Sequence, residues 1–151
     1  MFIAHLPAGY LLARACPRLP SGPLILGAVV PDIDLVLVYG WGTPMHHHDL
    51  LTHRPMLWLV LWAMAAATGL TRLAALALGA TVHVMLDSWA GRIDWGWPVA
   101  SLPVTVVNVP ARFDWWVLNF LLHPSFLLEL CLVAAALLLW GKGAPQPFAQ
   151  P

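Results

Sequence analysis

The sequence predicts an all-α fold: a polytopic membrane bundle of four to five short helices with a metal site at one membrane face. Three observations carry that expectation. Apolar residues make up 60% of the 151 residues and charged ones only 9%, with a mean hydropathy of +0.77, whereas soluble domains run at about a quarter charged. Fourteen prolines and eleven glycines cut this apolar material into short pieces. Inside one piece, "ATVHVMLDSW", His83 and Asp87 stand four positions apart, on one face of a helix. Facing lipid would penalise both side chains, so they should turn to protein or to a water-filled cavity. Seven basic and seven acidic residues balance, which removes the electrostatic footprint of a nucleic-acid binder.

The elements follow in order along one membrane-embedded domain, 1–140, with a disordered tail at 141–151. Residues 2–16 form a first short apolar helix that ends at "CPRLPSGP". Residues 24–39, "LILGAVVPDIDLVLVY", form a second, interrupted by Pro31, Asp32 and Asp34. A polar loop, "GWGTPMHHHDLLTHR", precedes Pro55, which suits the first turn of a third helix running to about Leu70. "TR" at 71–72 is expected as a tight turn into a fourth helix at 73–89. Residues 91–112 read as an irregular, interfacial excursion. There Trp95 and Trp97, with Trp89 just before them, suit an aromatic belt, and anchoring is their simplest role. The last apolar run follows Pro124 and reaches Trp140. These pieces are shorter than the roughly 20 residues of a perpendicular span, so a compact bundle that thins the bilayer or is partly re-entrant is expected. Cys16 and Cys131 form no CxxC and read as packed free thiols. No basic leader or cleavage site precedes the first apolar piece, so a cleaved signal peptide is not expected. "HHH" at 46–48 is too short for a tag.

A short connection between the third and fourth helices makes them antiparallel neighbours, which places His53 and Asp87 at a shared end and His83 one turn deeper. Up-and-down threading brings His5, Asp32, Asp34 and His48 to the same end. Seven of the fourteen Asp, Glu and His residues then converge, several in apolar sequence where an unpaired charge costs kilocalories. Each has a duller reading alone. An intramembrane His can be a packing residue, Asp32 can cap a helix, and Asp34 can bond nearby backbone. His46 and His47 can be plain loop residues, and Asp87 can pair with Arg92. Jointly, imidazole and carboxylate suit a divalent metal, zinc first and also manganese or iron, and a second ion would use the remaining groups.

Four stretches, "HLPAGYLLA", "GAVVPDIDLV", "HDLLTHR" and "GATVHVMLDSWAGRIDWGWP", resemble in order the motifs of the bacterial membrane-bound metal-dependent hydrolases of the YdjM type. Those motifs are an early His, G-x-x-x-P-D-x-D, H-R-x-x-T-H, and G-x-x-x-H-x-x-x-D with a downstream W-P. The likeness covers roughly the first 98 residues, with Asp49 standing where the family usually carries Arg. A more distant likeness is to the zinc-dependent bacterial phospholipases C, helical enzymes that hold three zinc ions and cleave phosphodiesters. It implies His5, Asp32, His53, His83 and Asp87 as ligands, with His48 or Asp34 completing the shell or serving as base. It also implies one to three ions.

The expected function is hydrolysis of a phosphodiester or other ester of a membrane lipid by metal-activated water. Asp34 would orient or deprotonate the water, and the metal's charge, with Arg54 or Arg92, would stabilise an anionic transition state. The alternatives are a metal-binding or metal-transport protein without hydrolytic activity, and a structural membrane protein whose His and Asp merely pair. The expected location is the bacterial inner membrane. Arg14, Arg18, Arg72 and Lys142 lie away from the site, and Arg54, Arg92 and Arg112 beside it. By the positive-inside rule the site would face outward.

Overall fold

Why the chain folds around its fourth helix follows from that helix's composition. The computed structural model describes residues 1, 3–42 and 45–143. Helices α1 (His5–Ala15), α2 (Ser21–Gly27), α3 (Pro55–Ala67), α4 (Thr71–Asp87), α5 (Trp116–Leu121) and α6 (Phe126–Trp140) dominate it. The only strands among the described residues are β1 (Ile93–Asp94) and β2 (Pro103–Val104), an antiparallel pair. α4 is the hub, packing against α1, α2 and α3, while α6 packs on α1. Its buried positions, Ala74, Ala75, Ala77, Gly79, Ala80, Thr81, His83, Val84 and Asp87, are mostly small. Small side chains let neighbouring backbones approach closely.

The tightest approach is between two glycines. A Cβ on Gly27 would lie 2.0 Å from the Leu76 carbonyl oxygen, and one on Gly79 would lie 2.1 Å from that of Leu24. No other residue fits at either crossing point. On the opposite side of α4, Trp58, Ala77, Ala80, Val84 and Ile93 form a core cluster that joins α3 to α4 and β1.

Helix boundaries depart from the sequence reading in three places. Thr71 and Arg72 belong to the first turn of α4 rather than to the connection. The reversal falls at Thr68–Leu70, where Gly69 takes φ +73°, a conformation that glycine adopts without strain. The interrupted second segment resolves into α2, a 3-10 turn at Val30–Asp34 and a π turn at Val36–Gly40, because Pro31 cannot donate into a continuing ladder. Finally, the short α5 was not expected. Its preceding loop is closed by Asn119, whose side-chain oxygen accepts the backbone N–H groups of Arg112 and Phe113, each at 2.7 Å.

Among the described residues no single helix is long and apolar enough to cross a membrane. One bent pair, Ser21–Gly27 with Val30–Gly40, meets that test together, with a 48° bend at its break. α6 carries a large apolar exterior even so: Leu137 is 67% and Leu138 72% exposed. Cys16 and Cys131 are free thiols, Cys131 exposed rather than packed. Of the expected tail, residues 144–151 lie outside the described residues.

Candidate metal centre

Four elements deliver side chains to one end of α4. Asp32 and Asp34 come from the 3-10 turn that Pro31 forces after α2. His48 and His53 come from two 3-10 turns, His47–Asp49 and Leu51–His53. The second is pinned by Trp58, whose indole N–H donates to the Thr52 carbonyl at 2.7 Å. His5 opens α1, and His83 and Asp87 occupy the last turns of α4.

Asp32, His53, His83 and Asp87 each present one atom to a common point, all four within 4.8 Å of one another. His53 Nε2 lies 3.4 Å from His83 Nε2 and 3.4 Å from Asp87 Oδ2. His83 Nε2 lies 3.1 Å from the same Asp87 oxygen. Asp32 Oδ1 stands 3.6 Å from His53 Nε2 and 3.5 Å from His83 Nε2. A tetrahedral zinc ion with arms of about 2.0–2.1 Å needs ligand-to-ligand edges of roughly 3.3–3.4 Å. Five edges of this tetrahedron are thus in place before any ion is added. The three donors from His53, His83 and Asp87 are essentially fully buried, while the side chain of Asp32 is 31% exposed. The shell therefore has a dry floor and one face towards solvent.

Both imidazoles are fixed in the orientation a ligand requires. His83 Nδ1 lies 2.8 Å from the carbonyl oxygen of Ala28, so it carries the proton and leaves Nε2 free for the shared point. His53 Nδ1 lies 2.9 Å from Asp34 Oδ2, and the Thr52 hydroxyl donates to the same oxygen. A histidine ligand braced by a carboxylate or carbonyl on its far nitrogen is the usual outer arrangement of metal sites.

The remaining expected residues distribute around this core. His5 stacks on His83, with ring centroids 3.7 Å apart and a 17° interplanar angle. Its Nε2 lies 3.2 Å from the outer Asp87 oxygen, Oδ1, which also contacts the amino group of Met1. His48 Nε2 reaches to 3.7 Å from Asp87 Oδ2. Arg54 is turned elsewhere: it donates to the Asp49 carbonyl at 2.6 Å and lies 3.7 Å from Asp94 Oδ2. Asp87 pairs with the four histidines and Met1, and Arg92 is not among its partners in the described residues. Asp32 caps nothing, since the N-cap of its turn is Val29.

His47, read from sequence as a loop residue, in fact faces the centre. Its Nδ1 is buried without a hydrogen bond, 3.9 Å from Asp34 Oδ1 and 4.0 Å from Asp32 Oδ1. Asp34, His47 and His53 make a second group of metal-ligating type. Thr52 and the Ala28 carbonyl were also missed; Thr52 had a signal in its place one residue before His53, and the carbonyl had none.

Electrostatics separate the histidines. Burial, with His53 and His46 nearby, pushes His47 down to about 4. Burial, reinforced by His47 and His53, takes His48 to about 3 against the pull of Asp87. At His53 burial also opposes charge, but the carboxylates of Asp32, Asp87 and Asp34 around its ring overcome it and raise the group to about 9. A proton on His53 therefore occupies the place of a cation. Buried His/Asp clusters able to hold a metal ion are thus a feature of this fold.

No family model, curated protein or solved structure matches the chain.

Proposed function

We propose that this protein is a membrane-embedded, metal-dependent hydrolase acting on a phosphodiester or other ester of a lipid, with zinc as its metal. The observation that carries the reading is the near-tetrahedral set of His53 Nε2, His83 Nε2, Asp87 Oδ2 and Asp32 Oδ1, with five edges of 3.1–3.6 Å. The partly exposed Asp32 is the donor that can give way to water or substrate, leaving three buried protein donors and the open position that a catalytic site keeps. A bound divalent ion there would lower the pKa of a water towards neutrality and polarise an ester oxygen.

The chain's own groups have separable tasks. His53, His83 and Asp87 would hold the ion from the buried side, Asp32 would be the fourth, solvent-facing donor, and Asp34 orients His53. Neutral His47, whose unpartnered Nδ1 lies beside Asp32 and Asp34, is placed to accept a proton from an attacking water. Arg54, held by Asp49 and Asp94, acts at most on the rim. Exposed apolar residues beside the ligands in the chain, Ile33 and Leu51 at 67% and 53% exposed, favour a substrate with acyl chains. The apolar exterior of α6 supports a membrane setting, in which its 15 residues reach about 22 Å, so the bilayer would thin around it.

One observation favours a rival. Four protein donors can close a tetrahedral shell, as structural sites do, which would suit a metal-binding or metal-transport protein. A panel of phosphodiester and carboxylic-ester lipids, incubated with detergent-purified protein and zinc, decides between them. Turnover that disappears in Asp87→Ala and with chelator supports hydrolysis. Stoichiometric zinc binding without turnover of any panel member supports the rival.

A further inference from the structure

α6 supplies no ligand to the centre, yet its one charged residue, Glu129, is completely buried. A carboxylate in an otherwise apolar helix costs several kilocalories unless its oxygens are bonded. Glu129 Oε2 accepts the backbone N–H of Ala4 at 3.1 Å and that of Ile3. These are the residues that enter α1, whose N-cap, Ala4, has no side chain able to cap it. The first N–H groups of a helix need outside acceptors and favour negative charge. Glu129 thus caps α1 from across the bundle. The residue immediately after Ala4 is His5, with its ring against His83 and its Nε2 on Asp87.

We propose that Glu129 is a positioning residue for the metal centre: by capping α1 it sets His5 against His83 and Asp87. The inference rests on the metal reading above. His5 is buried and neither of its ring nitrogens has a hydrogen bond, so nothing polar on its own helix orients the ring. Its place is set by stacking on His83, by the approach of Nε2 to Asp87 Oδ1, and by where the backbone of α1 begins, which Glu129 holds through Ile3 and Ala4.

The test uses cobalt(II) as the probe, titrated into the purified full chain and followed by its d–d absorption, with thermal unfolding recorded for each variant. Glu129→Ala should weaken cobalt affinity by about tenfold to a hundredfold, as His5→Ala should, and shift the absorption band. In the His5→Ala background, Glu129→Ala should add less than about twofold, because both changes remove one coupled interaction. Glu129→Gln should restore affinity, since its amide oxygen can take the place of Oε2. Glu129→Leu carries the same comparison if the alanine variant does not accumulate. Unchanged affinity and band in Glu129→Ala or Glu129→Leu, or an equal loss with and without His5, overturns this inference alone. A wild-type protein that binds no cobalt overturns the metal reading and this inference with it.

Discussion

His53 Nδ1 sits 2.9 Å from Asp34 Oδ2 while its Nε2 points into the space shared by Asp32, His83 and Asp87. One imidazole therefore joins two carboxylate environments, and the Asp34 side fixes which nitrogen faces the other. Thr52 donates to the same Asp34 oxygen, so the brace is itself held by the residue preceding His53. On the proposed reading, Asp34 is the brace of His53 at the shared point rather than a donor to it.

Asp34→Asn retains an acceptor for His53 but removes the charge. Metal should still bind, about ten- to a hundredfold more weakly, and Asp34→Ala should lose more because the ring is freed. Competition with a fluorescent chelator measures both. Equal metal loss in Asp32→Asn and Asp34→Asn would place both carboxylates in direct coordination.

Metal uptake should release protons. His53 is raised to about 9 by the surrounding carboxylates after burial has opposed it, so below that pH a proton must leave before Nε2 can coordinate. Between pH 9 and 7 the apparent zinc affinity should fall by roughly tenfold per pH unit from this group alone. Calorimetry in buffers of different ionisation enthalpy reads the count: about one proton from His53 at pH 7, fading above pH 9. No release at pH 7 would show a neutral His53 in the metal-free protein.

The contact of α2 with α4 should be intolerant of a single methyl group. Gly79→Ala would drive a Cβ into the Leu24 carbonyl, forcing the helices apart and pulling Ala28 from His83 Nδ1. Overpacking costs about 1–3 kcal/mol, occasionally more, and metal affinity should fall with it. Gly22→Ala in the same α2 meets nothing within 4 Å and should leave both stability and affinity unchanged.

Much of this was legible from residue spacing. The four-residue interval of His83 and Asp87 and the antiparallel pairing of α3 with α4 place His53 beside Asp87 without tertiary information. Pro31 and Pro55 mark where helices must break or begin. What sequence hides is the contact made by atoms every residue carries, such as the Ala28 carbonyl, and partners remote in sequence, such as Glu129 with Ala4. His47 escaped for another reason: in three consecutive histidines only the turn geometry decides which ring faces inward. Arg54 shows the converse, a residue of suitable chemistry beside a ligand whose side chain is engaged by Asp49 and Asp94.

On the proposed membrane reading, orientation follows from the placing of charge. Arg72, exposed in the first turn of α4, lies at the opposite end of that helix from Asp87. With basic residues favouring the cytoplasm, the metal end should face outward. On a background lacking Cys16 and Cys131, a membrane-impermeant maleimide applied to intact cells should label Met45→Cys and spare Arg72→Cys. The reverse pattern would put the centre on the cytoplasmic leaflet.

The central claim is that His53, His83, Asp87 and Asp32 hold a metal, and elemental analysis of protein purified without chelator tests it most directly. The wild type should carry at least about one zinc or other divalent ion per chain. His83→Ala and Asp87→Ala, removing donors 3.1 Å apart, should lose it, while the exposed His46→Ala should not. Metal-free wild-type protein that also fails to take up added zinc would contradict the account.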